Sequence, residues 1–378
     1  MEHAQTSSRR QFLKLSGLAG AASILPGCSK VANTEVKPVG QAKNVIYLMV
    51  DGLCNGTVGL AHHWQLRHKA TPLNWMQLFE HEGLHRAYQD TASANSPVTD
   101  SAAAASAWGS GQRVNNGSIN VDASGKSLKP ILSYAKEAGK ATGLVTSCRI
   151  THATPAGFST SVPKRGMEDA IAQQYLEREI DVLLGGGARH FLQTQEDGSV
   201  IDYIPQFEAK GYQIVKTASK LSAVRGSGSL LGLFSQSHIP YAIDRQNDRA
   251  YKDVPNLVDM FRAALNQLEG MKDGFVLQVE GGRVDHAGHG NDAGCILHEF
   301  LEFDACIPIA LEFIESHPDT MLVVTTDHGT GGCQLDGAGS AYLDSGPALD
   351  RINQLRHSFE WLQQGFEATG KFDPVLLK

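Results

Sequence analysis

The chain of 378 residues has six cysteines, at positions 28, 54, 148, 295, 306 and 333, and no two of them form a CxxC pair. They are too few for a disulfide scaffold and too scattered for a thiolate metal site. Positive charge is also scarce, with 33 Lys and Arg against 40 Asp and Glu, a net charge of -7 and a pI near 6.1. That balance argues against nucleic acid as a partner and leaves room only for a locally positive pocket around an acidic substrate. No internal repeat or low-complexity tract is evident. No apolar run is long enough to cross a bilayer comfortably once its glycines and polar flanks are counted. What is present in quantity is apolar residue content, 42%, enough for a sizeable core in one large domain.

The amino-terminal stretch TSSRRQFLKLSGLAGAASILPGCSK (Thr6–Lys30) sets a twin arginine, Arg9 and Arg10, before an apolar run rich in small residues. This is the form of an export signal. It resembles a twin-arginine signal, and LPGC at Leu25–Cys28 resembles a lipoprotein processing box, which makes Cys28 a candidate for lipidation and membrane anchoring. The expected layout is a signal over 1–28, a tether over 29–42 and one catalytic domain over 43–378, with the product in the periplasm, cell envelope or outside the cell.

The run NVIYLMVDG, ending at Asp51–Gly52, is β-branched and apolar and reads as a buried strand that delivers a carboxylate to its carboxyl end. Similar runs recur at Ala141–Ser147, Ile180–Gly187, Gly274–Gly282 and Thr320–Gly329. Helical patterns lie between them, over 128–139, 166–179, 256–270 and 296–317, and another follows over 347–366. The alternation predicts an α/β fold with a central, mostly parallel sheet and helices on both faces. Ligands of such sheets sit outside the carboxyl ends of the strands. Asp51, Glu280, Asp327 and His328 all fall there.

VEGGRVDHAGHG places Glu280, Asp285 and His289 at spacings of five and four. If the later part is helical, Asp285 and His289 share a face and can grip one ion. Asp327 and His328 are adjacent, so both can reach one ion only if the chain turns after the strand, which Gly329, Gly331 and Gly332 make easy. Carboxylate with imidazole suits zinc and an all-oxygen set suits magnesium, so the pattern suggests mixed metals. THATPAGFSTSVPKRG adds Thr154, a hydroxyl for an oxygen-rich shell, and Arg165, a guanidinium able to hold two phosphoryl oxygens. SPVTDSAAAASAWGSG sets Ser101 before four alanines, as if a helix must pack closely and leave the hydroxyl open at its amino end.

Taken in order, VTDSAAAASAW, HATPAG with Arg165, VEGGRVDH and TTDHGTGG resemble the alkaline phosphatase family, over most of the chain from about Val45 to Gly332. The resemblance implies a phosphomonoesterase with two zinc ions and one magnesium ion. It implies Ser101 as nucleophile and Asp51, Asp327 and His328 around the zinc that offsets its alkoxide charge. Asp285 and His289 would hold a second zinc on the leaving-group side. Asp51, Thr154 and Glu280 would hold magnesium, and Arg165 would clamp the phosphate. Small phosphate monoesters are then the expected substrates, and a homodimer is a further candidate association.

The chain departs from the pattern after His328. Family members carry a third zinc histidine downstream, whereas here 50 residues follow His328 and their sole histidine is His357. That residue lies in a segment that reads as an amphipathic helix, where it is expected at the surface or beside a cap. Two explanations are open: the sequence stops before the last zinc ligand, which is the expectation, or it is a short variant whose zinc site is completed by water. Gly329 stands where many relatives have glutamate, and His152 and His286 occupy positions near the metals where relatives vary. Two rivals remain: a phosphodiesterase or other hydrolase of the same superfamily, and a non-catalytic metal- or phosphate-binding lipoprotein.

Overall fold

The computed structural model describes residues 42–194, 197–337 and 339–370. The expected export signal, the lipidation site at Cys28 and all but the last residue of the expected tether lie outside the described residues. From Ala42 onward the chain forms one compact unit. Nine strands occur among the described residues: β1 (Asn44–Val50), β2 (Ala141–Arg149), β3 (Val182–Gly186), β4 (Leu192–Thr194), β5 (Val200–Asp202), β6 (Gln213–Val215), β7 (Leu230–Leu233), β8 (Phe275–Gly281) and β9 (Thr320–Thr326). Seven make one sheet in the order β6-β7-β3-β2-β8-β1-β9. Every pairing within it is parallel, while β4 and β5 form a separate antiparallel hairpin.

Alternation along β1 shows how the sheet is sandwiched, since successive side chains of a strand point to opposite faces. Ile46, Leu48 and Val50 enter one core with Leu60, Trp64, Phe261, Phe300 and Phe303. Tyr47 and Met49 enter the other with Ala102, Ala156, Phe158, Ile171 and Tyr175. Helices therefore cover both faces, those at 55–69, 257–268, 293–304 and 306–316 on one side and those at 101–110, 153–159 and 168–177 on the other. Each buried Leu or Phe of these layers contributes about 1.5–3 kcal/mol by leaving water. β9 is the edge strand and stays only half covered, with Met321 45% exposed.

Register decides which strand ends meet. Val50 of β1 stands beside Gly281 of β8 and Thr326 of β9, and Thr146 of β2 stands beside Glu280. The residues that follow these positions consequently gather along one edge of the sheet, with Asp51 next to both Glu280 and Asp327.

Two helical segments differ from the sequence reading. The pattern over 296–317 is two helices, Ala293–Asp304 and Cys306–Ser316, with Pro308 in the first turn of the second, where its missing N–H costs no hydrogen bond. The pattern over 347–366 is also two helices, Gly346–Ile352 and Phe359–Thr369. Ser358 breaks it by capping the second helix, its hydroxyl accepting from the Trp361 N–H.

Candidate active site

Ser101 is the first residue of the Ser101–Ser110 helix and is almost fully buried. Asp100 caps that helix, its Oδ1 accepting from the Ala103 N–H at 2.9 Å. The alanines allow the helix to lie against the Ala153–Ser159 helix at backbone distance. A methyl group at Gly109 would overlap the Gly157 carbonyl, and one at Gly157 would overlap Ala105. Close packing thus places Thr154 and His152, at the start of the second helix, beside the start of the first.

The opposite wall comes from the strand ends. After β1 the chain turns at Gly52, whose φ of +75° is strained for other residues and where a side chain would run into Asp285 and Thr330. The Gly52 N–H donates to Asp327 Oδ1 at 3.0 Å, tying the two strand ends together. Beyond β9 the chain does turn: the His328 N–H donates to Asp327 Oδ1 at 2.7 Å, and the His328 ring returns to within 3.2 Å of Asp327 Oδ2. His328 Nε2 also lies 3.5 Å from Asp51 Oδ1. Ser101 Oγ faces this pair, 3.4 Å from Asp51 Oδ1 and 3.3 Å from His328 Nε2.

On the other side of Asp51, Glu280 is fully buried and accepts from the Thr146 hydroxyl at 2.5 Å. Asp51, Glu280 and His152 offer ligand atoms within 4.8 Å of one another, as do Asp51, Asp327 and His328. Asp51 belongs to both groups. Asp285 and His289 share one face of the Arg283–His289 helix, with His289 Nε2 3.5 Å from Asp285 Oδ1. Asp285 is buried and hydrogen-bonded by Thr330, whereas the His289 side chain is 71% exposed at the rim. Among the described residues no third histidine, cysteine or acid joins this pair. Arg165 is held by Asp100 Oδ2 at 3.1 Å and lies 3.1 Å from His152 Nε2 through its other terminal nitrogen.

The electrostatics are those of a site built for cations. Burial pushes the Asp51 carboxyl well above the usual range, and the charges of Asp327, Asp285 and Glu280 push it further. Burial lifts Glu280 to about 7. Asp327 is raised for the same reason, against the pull of His328. His152 is lowered by burial and then by Arg165. Asp51 Oδ2, Asp327 Oδ2, Glu280 Oε1, Thr154 Oγ1 and His152 Nδ1 are buried without a well-formed hydrogen bond. Native interiors rarely leave such atoms unpaired, so five in one small volume match donors meant for metal ions. Both sets offer carboxylate oxygen with imidazole nitrogen, Asp51 and Asp327 with His328 and Asp51 and Glu280 with His152, and the buried Thr154 hydroxyl adds an oxygen beside Glu280.

Asp51, Glu280, Asp327, His328 and Ser101 meet at this edge of the sheet, Thr154 lies beside Glu280, Arg165 reaches His152, and Asp285 pairs with His289 on the next helix. His357 does not join them; it stacks on Trp361 at 3.8 Å and bonds Asp244 at 3.3 Å. Sequence reasoning missed Asp100 as the residue that both caps the helix beginning at Ser101 and holds Arg165; an aspartate just before a run of helix formers was the available signal. It also missed His238, which packs edge-on against His286 at 4.5 Å and lies near Cys148. Its Nδ1 lies 3.3 Å from the Arg149 backbone nitrogen and its Nε2 against Arg149 Nη1.

The profile of the family described as alkaline phosphatase matches residues 42–369. Alkaline phosphatase 3 of Bacillus subtilis is 36% identical over 328 residues, covering 84% of this chain and 68% of that protein. The repressible alkaline phosphatase of Saccharomyces cerevisiae is 37% identical over 320 residues, 77% of this chain, and the match spans only 55% of the yeast protein. Among solved structures, Thermus thermophilus alkaline phosphatase superposes with a TM-score of 0.82 at 38% identity, covering 91% of this chain and 72% of that one. Fold, site and sequence agree: this chain belongs to the alkaline phosphatase family.

Proposed function

We propose that this protein hydrolyses small phosphate monoesters, with Ser101 as the nucleophile. The observation that carries the reading is the placing of the Ser101 hydroxyl at a helix amino end, 3.4 Å from Asp51 Oδ1 and 3.3 Å from His328 Nε2. Asp51, Asp327 and His328 would hold one zinc, Asp285 and His289 a second, and Asp51, Thr154 and Glu280, with His152 beside them, a magnesium. Bound there, the ions supply positive charge that favours the serine alkoxide and the departing alkoxide.

The chain's own residues do the rest. Arg165, steadied by Asp100 and His152, holds two phosphoryl oxygens by paired, charge-assisted hydrogen bonds. Backbone N–H groups at the start of the Ser101–Ser110 helix favour the same anion. Ser101 Oγ attacks phosphorus, the new Oγ–P bond forming as the bond to the alcohol oxygen breaks, and the alcohol leaves with a proton. Water then cleaves the phosphoserine and returns the serine proton. Recognition is directed at the phosphoryl group, which suits monoesters of varied alcohols.

A comparison of p-nitrophenyl phosphate with bis-p-nitrophenyl phosphate tests the substrate class. The monoester should have the higher kcat/KM. A higher value for the diester would replace this reading with a phosphodiesterase, and no turnover of either with zinc and magnesium supplied would favour a binding protein.

Export rests on Arg9, Arg10 and the apolar run that follows. Replacing both arginines by lysine should leave the full chain in the cytoplasm, and lipidation at Cys28 should place the wild type in a membrane fraction that Cys28→Ala leaves. Unchanged location in the arginine variant would remove the twin-arginine reading.

A further inference from the structure

The turn that carries His152 gets little support from the sheet. Strand β2 pairs with β8 as far as Thr146, and its register against β3 shifts between Val145 and Arg149. The helix that follows, Ala153–Ser159, has seven residues and no side-chain cap, too little to hold a direction by itself. Contact with the Ser101–Ser110 helix fixes one side of it. The turn over 149–152 is held from elsewhere, by the Glu168–Glu177 helix that begins three residues after Arg165.

Glu168 opens that helix and is buried. It forms a bidentate ion pair with Arg149, Nη2 donating to Oε1 at 2.7 Å and Nε to Oε2 at 2.8 Å. Oε2 also accepts from the buried Thr151 hydroxyl at 2.7 Å, and His190 Nε2 stands 3.2 Å from it. Burial would raise this carboxyl, but the bonds from Arg149 and Thr151 outweigh it and hold it below its ordinary value. Two turns further along the same helix, the Tyr175 hydroxyl donates to the Ile150 carbonyl at 2.7 Å. Residues 149, 150 and 151 are therefore gripped in succession by one helix, and the His152 N–H closes the turn onto the Arg149 carbonyl at 2.9 Å. Among the described residues Glu168 is the ion-pair partner of Arg149, whose side chain is 15% exposed. A guanidinium so far from water depends on its counter-charge.

We propose that Glu168 is a positioning residue for the cation set of Asp51, His152 and Glu280, acting through Arg149 and Thr151 to hold the 149–152 turn where His152 and Thr154 meet the two carboxylates. The set suits a divalent cation: its three ligand atoms lie within 4.8 Å of one another, and the Thr154 hydroxyl stands beside Glu280. Asp51 Oδ2, Glu280 Oε1 and His152 Nδ1 are buried there without a well-formed hydrogen bond. Glu168 is not among these donors, so its effect has to travel through the turn. The proposal rests on the phosphomonoesterase reading for what the cation does, and on the geometry of the donors for its binding. Glu168→Gln leaves one acceptor oxygen where the carboxylate offers two, so Arg149 and Thr151 compete for it and the guanidinium loses its counter-charge. The turn then relaxes away from the set.

The test uses the full chain, stripped of metal and titrated with Mn2+, an ion suited to carboxylate sites whose free form is read by electron paramagnetic resonance. Loss of an outer partner of a metal site lowers metal affinity roughly 10–100-fold. Glu168→Gln should weaken one class of Mn2+ site by about that factor and leave the other near wild type. Thr154→Ala should weaken the same class, and adding it to Glu168→Gln should cost less than it does alone, because the turn that presents Thr154 has already moved. Glu177→Gln is the control on the same helix, where Glu177 accepts from Gln173, and should match wild type. A general loss of stability would lower the melting temperature without singling out one class. Unchanged Mn2+ affinity, equal loss in both classes, or full additivity with Thr154→Ala would overturn the proposal. A wild type that binds Mn2+ but hydrolyses no p-nitrophenyl phosphate with zinc and magnesium supplied would overturn the function reading, while the Mn2+ titration still tests Glu168. Should Glu168→Gln fail to fold, the Arg149→Met, Glu168→Leu double variant removes both charges together and fills the space. It should fold yet bind Mn2+ as weakly in that class; wild-type affinity there would show that the pair only balances charge and would sink the proposal.

Discussion

Asp100 binds Arg165 with one carboxylate oxygen, at 3.1 Å, and caps the helix that begins at Ser101 with the other, at 2.9 Å. One side chain therefore couples the start of the Ser101–Ser110 helix to the direction of the guanidinium.

Asp100→Ala should lower stability and anion binding together. The lost cap costs about 1 kcal/mol. Arg165, with its ion pair gone, should bind inorganic phosphate more weakly. Arg165→Ala should weaken phosphate inhibition without the loss of stability. Thermal melts and phosphate inhibition constants for both variants check this; a D100A protein with wild-type phosphate affinity would show that Arg165 does not depend on it.

Ser101→Ala should lower turnover by several orders of magnitude and leave metal content near wild type, because the carboxylates and imidazole of Asp51, Asp327 and His328 stay in place. Acid-quenched wild type incubated with labelled substrate should carry phosphate on Ser101, and the variant none. Near-normal turnover in the variant would mean that another group attacks phosphorus.

Asp51 belongs to two candidate ligand sets, with Asp327 and His328 and with His152 and Glu280, whereas the Thr154 hydroxyl lies beside Glu280 of the second set only. Asp51→Asn should consequently strip more metal than Thr154→Ala, since a shared carboxylate offsets the charge of two cations and a hydroxyl gives one neutral oxygen. Metal analysis of the purified variants reads this directly. Equal losses would argue against a shared ligand.

Burial raises Glu280 from its ordinary 4.5 to about 7. For a group raised on folding, the stability it contributes is complete below its unfolded value and is lost as pH climbs through the folded value. Metal-stripped protein should therefore lose thermal stability between about pH 4.5 and 7, and Glu280→Gln should flatten that slope. Added magnesium and zinc should reverse the trend, since cations replace the proton and release it to solvent. A stripped wild type with a flat melting temperature across this window would contradict the buried-acid account.

How much of this was legible in the sequence depends on the length of each signal. β1, β2, β3, β8 and β9 are long apolar runs, and all five could be read. β6 and β7 have three and four residues, and so short a run carries no usable period. The segment over 347–366 read as one amphipathic helix because its periodicity is right on both sides of the break. The break itself depends on Asp244 and Asp292, which bond Ser358 and Phe359 from more than 60 positions away.

The sequence by itself determined the parallel α/β class, through strand runs that end in acids and alternate with helical patterns, and the chemical types able to make a metal-assisted phosphoryl site. Only the tertiary structure decided which of them meet. Register between β8, β1 and β9 sets Glu280, Asp51 and Asp327 side by side, and backbone contact at Gly109 and Gly157 brings the Ser101–Ser110 and Ala153–Ser159 helices together. The pairing of Asp100 with Arg165 and of Arg283 with Glu360 likewise joins residues 65 and 77 positions apart. Side-chain charges reveal what could pair, but the partner is chosen by packing, and packing is a property of the whole chain.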